Sequence, residues 1–220
     1  MTVELNFLAV FQDWPMLVTG VIWTLGLTAI AIVVGLTVAV ACAWVRTEGP
    51  KWLAIPVAAY VELMRNTPFI VQLFFIFFGL PALGVRFSPP VASGIALVLN
   101  LGAYGTEIIR AGLLATPKGQ IEAALSLALS KFQIFTRVVL PPALKKVWPA
   151  LVSQIVIVML GSAVCGQIAT EELSYAANVI SANTFRTFEA YIIATAIYLV
   201  LALMVRSLLN WAGPRFIFGR

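Results

Sequence analysis

From Leu17 to Val45 this chain carries no charged side chain, and the same holds from Val147 to Ile168. Crossing the ~30 Å hydrocarbon core of a bilayer takes about 20 apolar residues at a 1.5 Å rise. Backbone placed there must satisfy its own N–H and C=O groups, so such runs fold as spanning helices. Only 10% of the 220 residues are charged and 61% are hydrophobic, whereas a soluble domain carries about 25% charged residues. The fold class is therefore all-α, multi-pass membrane protein, as one transmembrane domain over residues 1–220.

Five spans are expected. They run from Leu17 to Val45, Trp52 to Leu80 (interrupted by Pro56 and Pro68), Val91 to Leu114, Val147 to Ile168 and Ala190 to Leu209. Arg46 to Lys51 reads as a tight polar turn, and Gly79 to Pro90 as a Gly- and Pro-containing connection. Trp148 reads as an interfacial anchor, and residues 170–188 are polar with enough apolar positions for a surface helix. The first 16 residues hold Glu4 and Asp13 but no basic residue, so no cleavable signal peptide is expected.

The net charge of +5 follows the loops rather than a single patch, which argues for membrane orientation and against nucleic acid. Arg46, Lys51, Arg110, Lys118, Lys131, Arg137, Lys145, Lys146, Arg206, Arg215 and Arg220 gather on or beside one side. The other connections hold Arg86 and Arg186 with Glu4, Asp13, Glu171, Glu172 and Glu189. The positive-inside rule then places the N-terminus outside and the C-terminus in the cytoplasm. With no histidine, zinc chemistry and Ser-His or Cys-His catalysis are excluded. Cys42 and Cys165 sit in apolar runs as small hydrophobes. No GxxxxGK[ST] stretch is present to cradle phosphates, so no enzyme activity is expected and no cofactor or metal is assigned to this chain.

The basic stretch of residues 116–144 is too short and polar to span, yet too apolar to be left in water. Thr116 reads as an N-cap with Pro117 at the first helical position, and Ile121, Ala124 and Leu125 follow at helical spacing. Ser130 and Gln133 hold the positions of a capping box. Phe132, Phe135 and Val139 form the apolar face of that second helix, with Lys131 and Arg137 solvated. Leu140-Pro141-Pro142 is expected to stop it, since proline removes the N–H the helix needs. A helix–turn–helix of this kind belongs against another protein.

Charged residues also interrupt two spans: Glu62 and Arg65, and Glu107 and Arg110, each spaced i, i+3 on one helix face. At about 1.5 Å per residue, Glu62 and Glu107 both lie on the order of 12–15 Å from the cytoplasmic helix ends. The expected clamp is therefore Arg65 with Glu107 and Glu62 with Arg110, because an unpaired charge there costs about 2.5–3.5 kcal/mol or more. Asn100, Tyr104, Thr67, Gln154, Gly161 and Ser162 are candidates to line a solute pathway, with polar helix packing as their plainer role.

Several of these segments carry a family resemblance. Gly119-Gln120, Glu122-Ala123-Ala124, Leu127, Phe135 and Leu140-Pro141 resemble the EAA loop of ABC importer membrane subunits. Tyr60-Val61-Glu62, Arg65-Asn66-Thr67-Pro68, and Ala103-Tyr104 with Glu107, Arg110 and Gly112 resemble segments of the polar amino acid permeases (histidine, glutamine and glutamate type). Gly20 and Thr24-Leu25 match that family's G-x-x-x-T-L pattern. The resemblance implies a type I importer permease fold in a bacterial inner membrane. It implies that the loop is the coupling helix pair, seated in a cytoplasmic ATPase dimer that holds ATP and Mg. There Glu122 holds the loop or contacts the ATPase, and Phe132 and Phe135 fill its grooves. A second permease subunit and an extracytoplasmic solute-binding protein complete the importer, whose solute is an amino acid.

Two departures are visible. Ala128 stands where the family usually has glycine, so an ordinary helical backbone and a shallower bend are expected there. Leu160-Gly161-Ser162-Ala163-Val164 replaces a K-D-T-S-L-like segment, so Gly161 offers no carboxylate to a solute ammonium. A homologous, non-identical partner supplying that acid is the expected solution. The competing function is an ATP-independent secondary transporter or channel, which needs no coupling loop and typically shows an internal repeat.

Overall fold

The computed structural model describes residues 5–217, so Glu4 and Arg220 of the charge pattern lie outside the described residues. A short helix α1 (Phe7–Phe11) leads into α2 (Trp14–Glu48), the first span. Helices α3 (Lys51–Arg65) and α4 (Phe69–Leu83) form a pair bent by 112°. Then come α5 (Pro89–Leu114), α6 (Lys118–Ser126), α7 (Lys131–Ile168), α8 (Leu173–Thr184) and α9 (Thr187–Arg215). Four of these, α2, α5, α7 and α9, are long and apolar enough to cross a membrane, and the bent pair makes a fifth if it is one span.

The expected second span is thus a broken one. Proline has no N–H and disfavours helical backbone at the residue before it, so Pro68 ends α3 at Arg65 and α4 begins anew at Phe69. Pro56 does not break its helix. Gln72, buried in α4, closes the gap. Its Nε2 faces Met64 O at 2.7 Å, Thr67 Oγ1 at 2.9 Å and Thr67 O at 3.0 Å, sharing two protons among carbonyls and a hydroxyl released by the break.

Helix α5 is the centre of the bundle. It is buried over 61% of its apolar stretch against 17% for α9, and it packs on α2, α3 and α7. Small residues bring the backbones close, as expected where helices meet in lipid. A Cβ on Gly105 would lie 2.9 Å from that of Ala39, and one on Gly112 would lie 3.0 Å from Ala143 O.

Two expectations about boundaries fail for local reasons. Helix α2 continues through Arg46 to Glu48, and only Gly49-Pro50 turns the chain, because Gly49 closes against Val45 O where a Cβ would sit 2.4 Å away. Pro141-Pro142 stops nothing: α7 runs through them. The widened turn Ile134–Val139 precedes them, and they stand in the first turn of the α-helical stretch that restarts at Leu140. A wide turn of this kind absorbs groups that cannot join the regular ladder. Trp148, expected as an interfacial anchor, is buried against α9, and its Nε1 donates to Leu209 O at 3.2 Å.

At the opposite end, α8 has one exposed face and buries Leu173, Ala176, Ala177 and Ile180 against α2 and α9. Here the G-x-x-x-T pattern of α2 finds its reason. Gly20 lets the Leu173 backbone approach to where its own Cβ would be, and Thr24 Oγ1 accepts the Leu173 N–H at 3.3 Å.

Candidate coupling surface and charge cluster

The loop of residues 116–144 folds as two helices joined by a sharp bend. Helix α6 starts one residue later than expected, with Pro117 rather than Thr116 in the capping position. The Ser130–Gln133 capping box forms in both directions: Ser130 Oγ accepts the Gln133 N–H, and Gln133 Oε1 accepts the Ser130 N–H at 2.8 Å.

The bend itself corrects the expectation for Ala128. Ala128 has φ 56°, in the left-handed region that glycine usually fills. Its N–H donates to Leu125 O at 2.9 Å and the next one, Leu129, to Ala124 O at 3.3 Å. That pair of bonds, with Leu129 and Ala124 in one apolar cluster, is a Schellman closure. Satisfying two orphan carbonyls outweighs the ~1 kcal/mol that a Cβ costs in this conformation.

The loop has a pinned back and an open front. Ala124, Ile134, Phe135 and Val139 are buried. Trp44, at the end of α2, stacks against Phe135 at 5.7 Å and edge-on to Phe132 at 5.9 Å. Behind them a cavity of about 160 Å³ is lined by Thr47, Glu48, Ile121, Leu125, Lys131 and Phe135 among others. On the front, Gly119, Gln120, Glu122 and Ala123 are exposed. So are two large apolar side chains, Leu127 at 75% and Phe132 at 60%. Leu140 is half-buried and Pro141 exposed. The sequence reading missed Trp44. Its signal was a bulky aromatic beside the charged end of an otherwise small-residue helix.

The intramembrane charges assemble differently from the expected double pair. Glu107 receives three guanidiniums: Arg46 on Oε1 in a close bond, and Arg65 at 3.7 Å and Arg110 at 3.8 Å, both on Oε2. Arg46 enters because α2 continues where a loop was expected. Glu62 does not reach Arg110; it is exposed and makes no ion pair among the described residues. Arg65 also stacks on Tyr104, 5.7 Å from its ring centroid. Arg110 Nε is buried without a hydrogen-bond partner.

Of the proposed pathway residues, three cluster at the helix break. Thr67 holds Gln72, Asn100 Nδ2 donates to Gln72 Oε1 at 3.4 Å, and the Tyr104 hydroxyl donates to Arg65 O at 3.4 Å. Ser162 turns away: it is fully buried and donates to Met159 O at 2.6 Å. Gln154 is half-buried, and Gly161 has open space on its Cβ side.

A second carboxylate, counted in the sequence only among the loop charges, turns out to be a buried one. Glu172 is fully buried at the start of α8. It accepts the Tyr175 N–H at 2.7 Å, the Ser174 N–H at 2.9 Å and the Tyr198 hydroxyl at 2.5 Å. Burial pushes its carboxyl above the ordinary carboxylate range, against the pull of those three donors.

Comparison with known proteins agrees with the architecture. The sequence profile described as binding-protein-dependent transport system inner membrane component matches residues 31–218. A probable glutamine ABC transporter permease protein, GlnM of Bacillus subtilis strain 168, is 33% identical over 211 residues, covering 96% of this chain and 98% of that one. The octopine transport system permease protein OccM of Rhizobium radiobacter is 31% identical over 214 residues, covering 92% and 87%. A crystal structure of an amino acid ABC transporter with histidines superposes with a TM-score of 0.85 at 35% identity, over 94% of this chain and 97% of that one.

Proposed function

Because this chain belongs to the binding-protein-dependent transport system inner membrane components, as a permease subunit of an ATP-driven amino-acid importer, we propose that its 116–144 loop seats in the ATPase. ATP hydrolysis resides in that separate subunit, and this multi-pass inner-membrane chain carries out no chemistry. The observation that carries the docking role is the divided loop. Its back is fixed by Trp44 and Phe135, while Glu122, Leu127 and Phe132 are presented outward. A loop fixed from behind moves with its bundle, so closure of an ATPase pair tilts the spans and changes the side the pathway faces. An ATP-independent carrier has no use for such a surface.

Three finer points belong to this reading. The Lys/Arg distribution sets the N-terminus outside and the loop in the cytoplasm. Relatives named for glutamine support a polar amino acid as solute. The absence of a carboxylate at Gly161 favours a homologous second permease that supplies one, since a solute ammonium is costly to leave unpaired in a low-dielectric cavity.

Docking is tested by Phe132→Ala. The exposed ring is expected to be dispensable for folding, while co-purification of the ATPase and its stimulated hydrolysis fall at least tenfold, as for an aromatic anchor worth ~2 kcal/mol. Unchanged co-purification refutes the docking role. A cysteine at Lys118, in a Cys-free background, is expected to resist impermeant thiol reagents until cells are permeabilised. Labelling in intact cells overturns the orientation.

A further inference from the structure

The break between α3 and α4 lies at the level of the membrane interior. Arg65 closes a helix of 15 residues, about 20 Å from its Lys51 end at 1.5 Å per residue. Asn66 and Pro68 follow in non-helical backbone, both exposed, before α4 leaves at 112°. Non-helical backbone at such depth stands only inside protein or on a water-filled cavity.

The charges beside the break favour the cavity. Glu62 and Arg65 are spaced to share a helix face, and both are exposed, yet they do not pair. Arg65 turns instead to the Tyr104 ring and to a Glu107 oxygen at 3.7 Å, which Arg110 also claims at 3.8 Å. Glu62 makes no ion pair among the described residues. The double clamp expected from the sequence would have consumed both residues. Without it a negative and a positive group stand side by side, with 43% of the Arg65 side chain open. Ionisable side chains left so within a membrane mark the path of a polar solute. A ligand that answers both must carry both signs close together. The two Cβ atoms are about 5–6 Å apart at this spacing, and an α-amino acid carries its ammonium and its carboxylate on a single carbon.

We infer that this edge of the break is a station for a zwitterionic α-amino acid, with its carboxylate on Arg65 and its ammonium on Glu62. The planar fork of arginine matches a carboxylate with two parallel bonds, and the Tyr104 ring, 5.7 Å away, steadies the guanidinium. The station reads the group that all α-amino acids share and leaves the solute side chain to other residues. It rests on the permease reading above, deepens it to the residues that recognise the solute, and is complete within this chain. The Gly161 segment, on α7, has no part in it.

The test is equilibrium dialysis of the importer complex purified with its ATPase, without nucleotide or binding protein, against each common amino acid in radiolabelled form. For those that bind, two analogues are read by displacement: the α-carboxamide, which lacks the carboxylate, and the desamino acid, which lacks the ammonium. Arg65→Gln and Glu62→Gln are each expected to weaken amino acid binding about tenfold or more, as for loss of one charge-assisted bond, with Arg65→Lys losing less. The carboxamide is expected to be indifferent to Arg65→Gln and the desamino acid to Glu62→Gln, a pattern that a merely structural role does not give. Unchanged affinity in Glu62→Gln, equal losses for amino acid and analogues, or no binding to the parent complex overturns the inference. Glu62 has no ion-pair partner to lose among the described residues, so its variant decides where Arg65→Gln fails to accumulate. ATPase co-purification is read in the same samples. Its persistence beside a negative binding result separates failure of the station from failure of the permease reading.

Discussion

The two ends of the molecule each hold a carboxylate at a meeting of helices, and they are held by opposite means. Glu107, toward the 116–144 loop, is partly exposed and faces three full positive charges that it cannot satisfy. Glu172, at the other end, is sealed from solvent and, among the described residues, meets no cation but two backbone N–H groups and a phenol, each within 2.9 Å. Hydrogen bonds from fixed donors give a single geometry, whereas an unbalanced cluster of long side chains accepts more than one arrangement. The comparison assigns rigidity to the α8 end, where α2, α7, α8 and α9 converge on Glu172 and Leu173. It assigns the variable contacts to the end that carries the 116–144 loop, proposed above to meet the ATPase.

The largest effect is expected where rigidity is broken. Glu172→Ala leaves two N–H groups and the Tyr198 hydroxyl unsatisfied in a dry site, so a loss of about 3–5 kcal/mol and failure to accumulate as a monodisperse detergent complex are expected. Glu172→Gln should recover part of the loss. Because burial raises the carboxyl above its unfolded value, the folded state binds more protons between the two values. Stability should therefore fall as pH rises through that window, and the Gln variant should lose this slope. A pH-independent melting temperature in the parent would contradict it.

The charge cluster should respond less and in a graded way. Glu107→Gln removes the counter-charge shared by three arginines, at a cost of about 2–3 kcal/mol. In double-mutant cycles by thermal melting, Arg46→Ala should couple to Glu107 by about 1.5–3 kcal/mol. Arg65, partly exposed and at 3.7 Å, should couple by only ~0–1 kcal/mol. Equal coupling for both would mean that the cluster is as fixed as the Glu172 site.

The smallest change tests the bend in the loop. Ala128→Gly relieves a Cβ at φ 56° and should raise stability by about 1 kcal/mol or less, offset in part by unfolded-chain entropy. ATPase co-purification should be unchanged, since the Schellman bonds remain. A fall in stability would show that Ala128 does not hold this backbone.

Sequence alone determined what depends on bulk and on local chemistry. Charge-free runs long enough for a bilayer set the spans, Ser130 and Gln133 set their reciprocal cap, and Pro68 set the break, because each acts through neighbours along the chain. Even so, local rules misled where a distant or compensating contact outweighed them. Pro141-Pro142 was absorbed by the widened turn before it, and Ala128 was held at positive φ by two carbonyls. Tertiary structure alone decided which charges meet. Glu107 and Arg46 are 61 residues apart, and their pairing follows from the close approach of α2 and α5 at Ala39 and Gly105. Glu172 was equally illegible, since its worth lies in a phenol 26 residues on and a helix packed over it. Periodicity and capping report which segments form; the partner of a buried charge is fixed only when helices from distant parts of the chain are brought side by side.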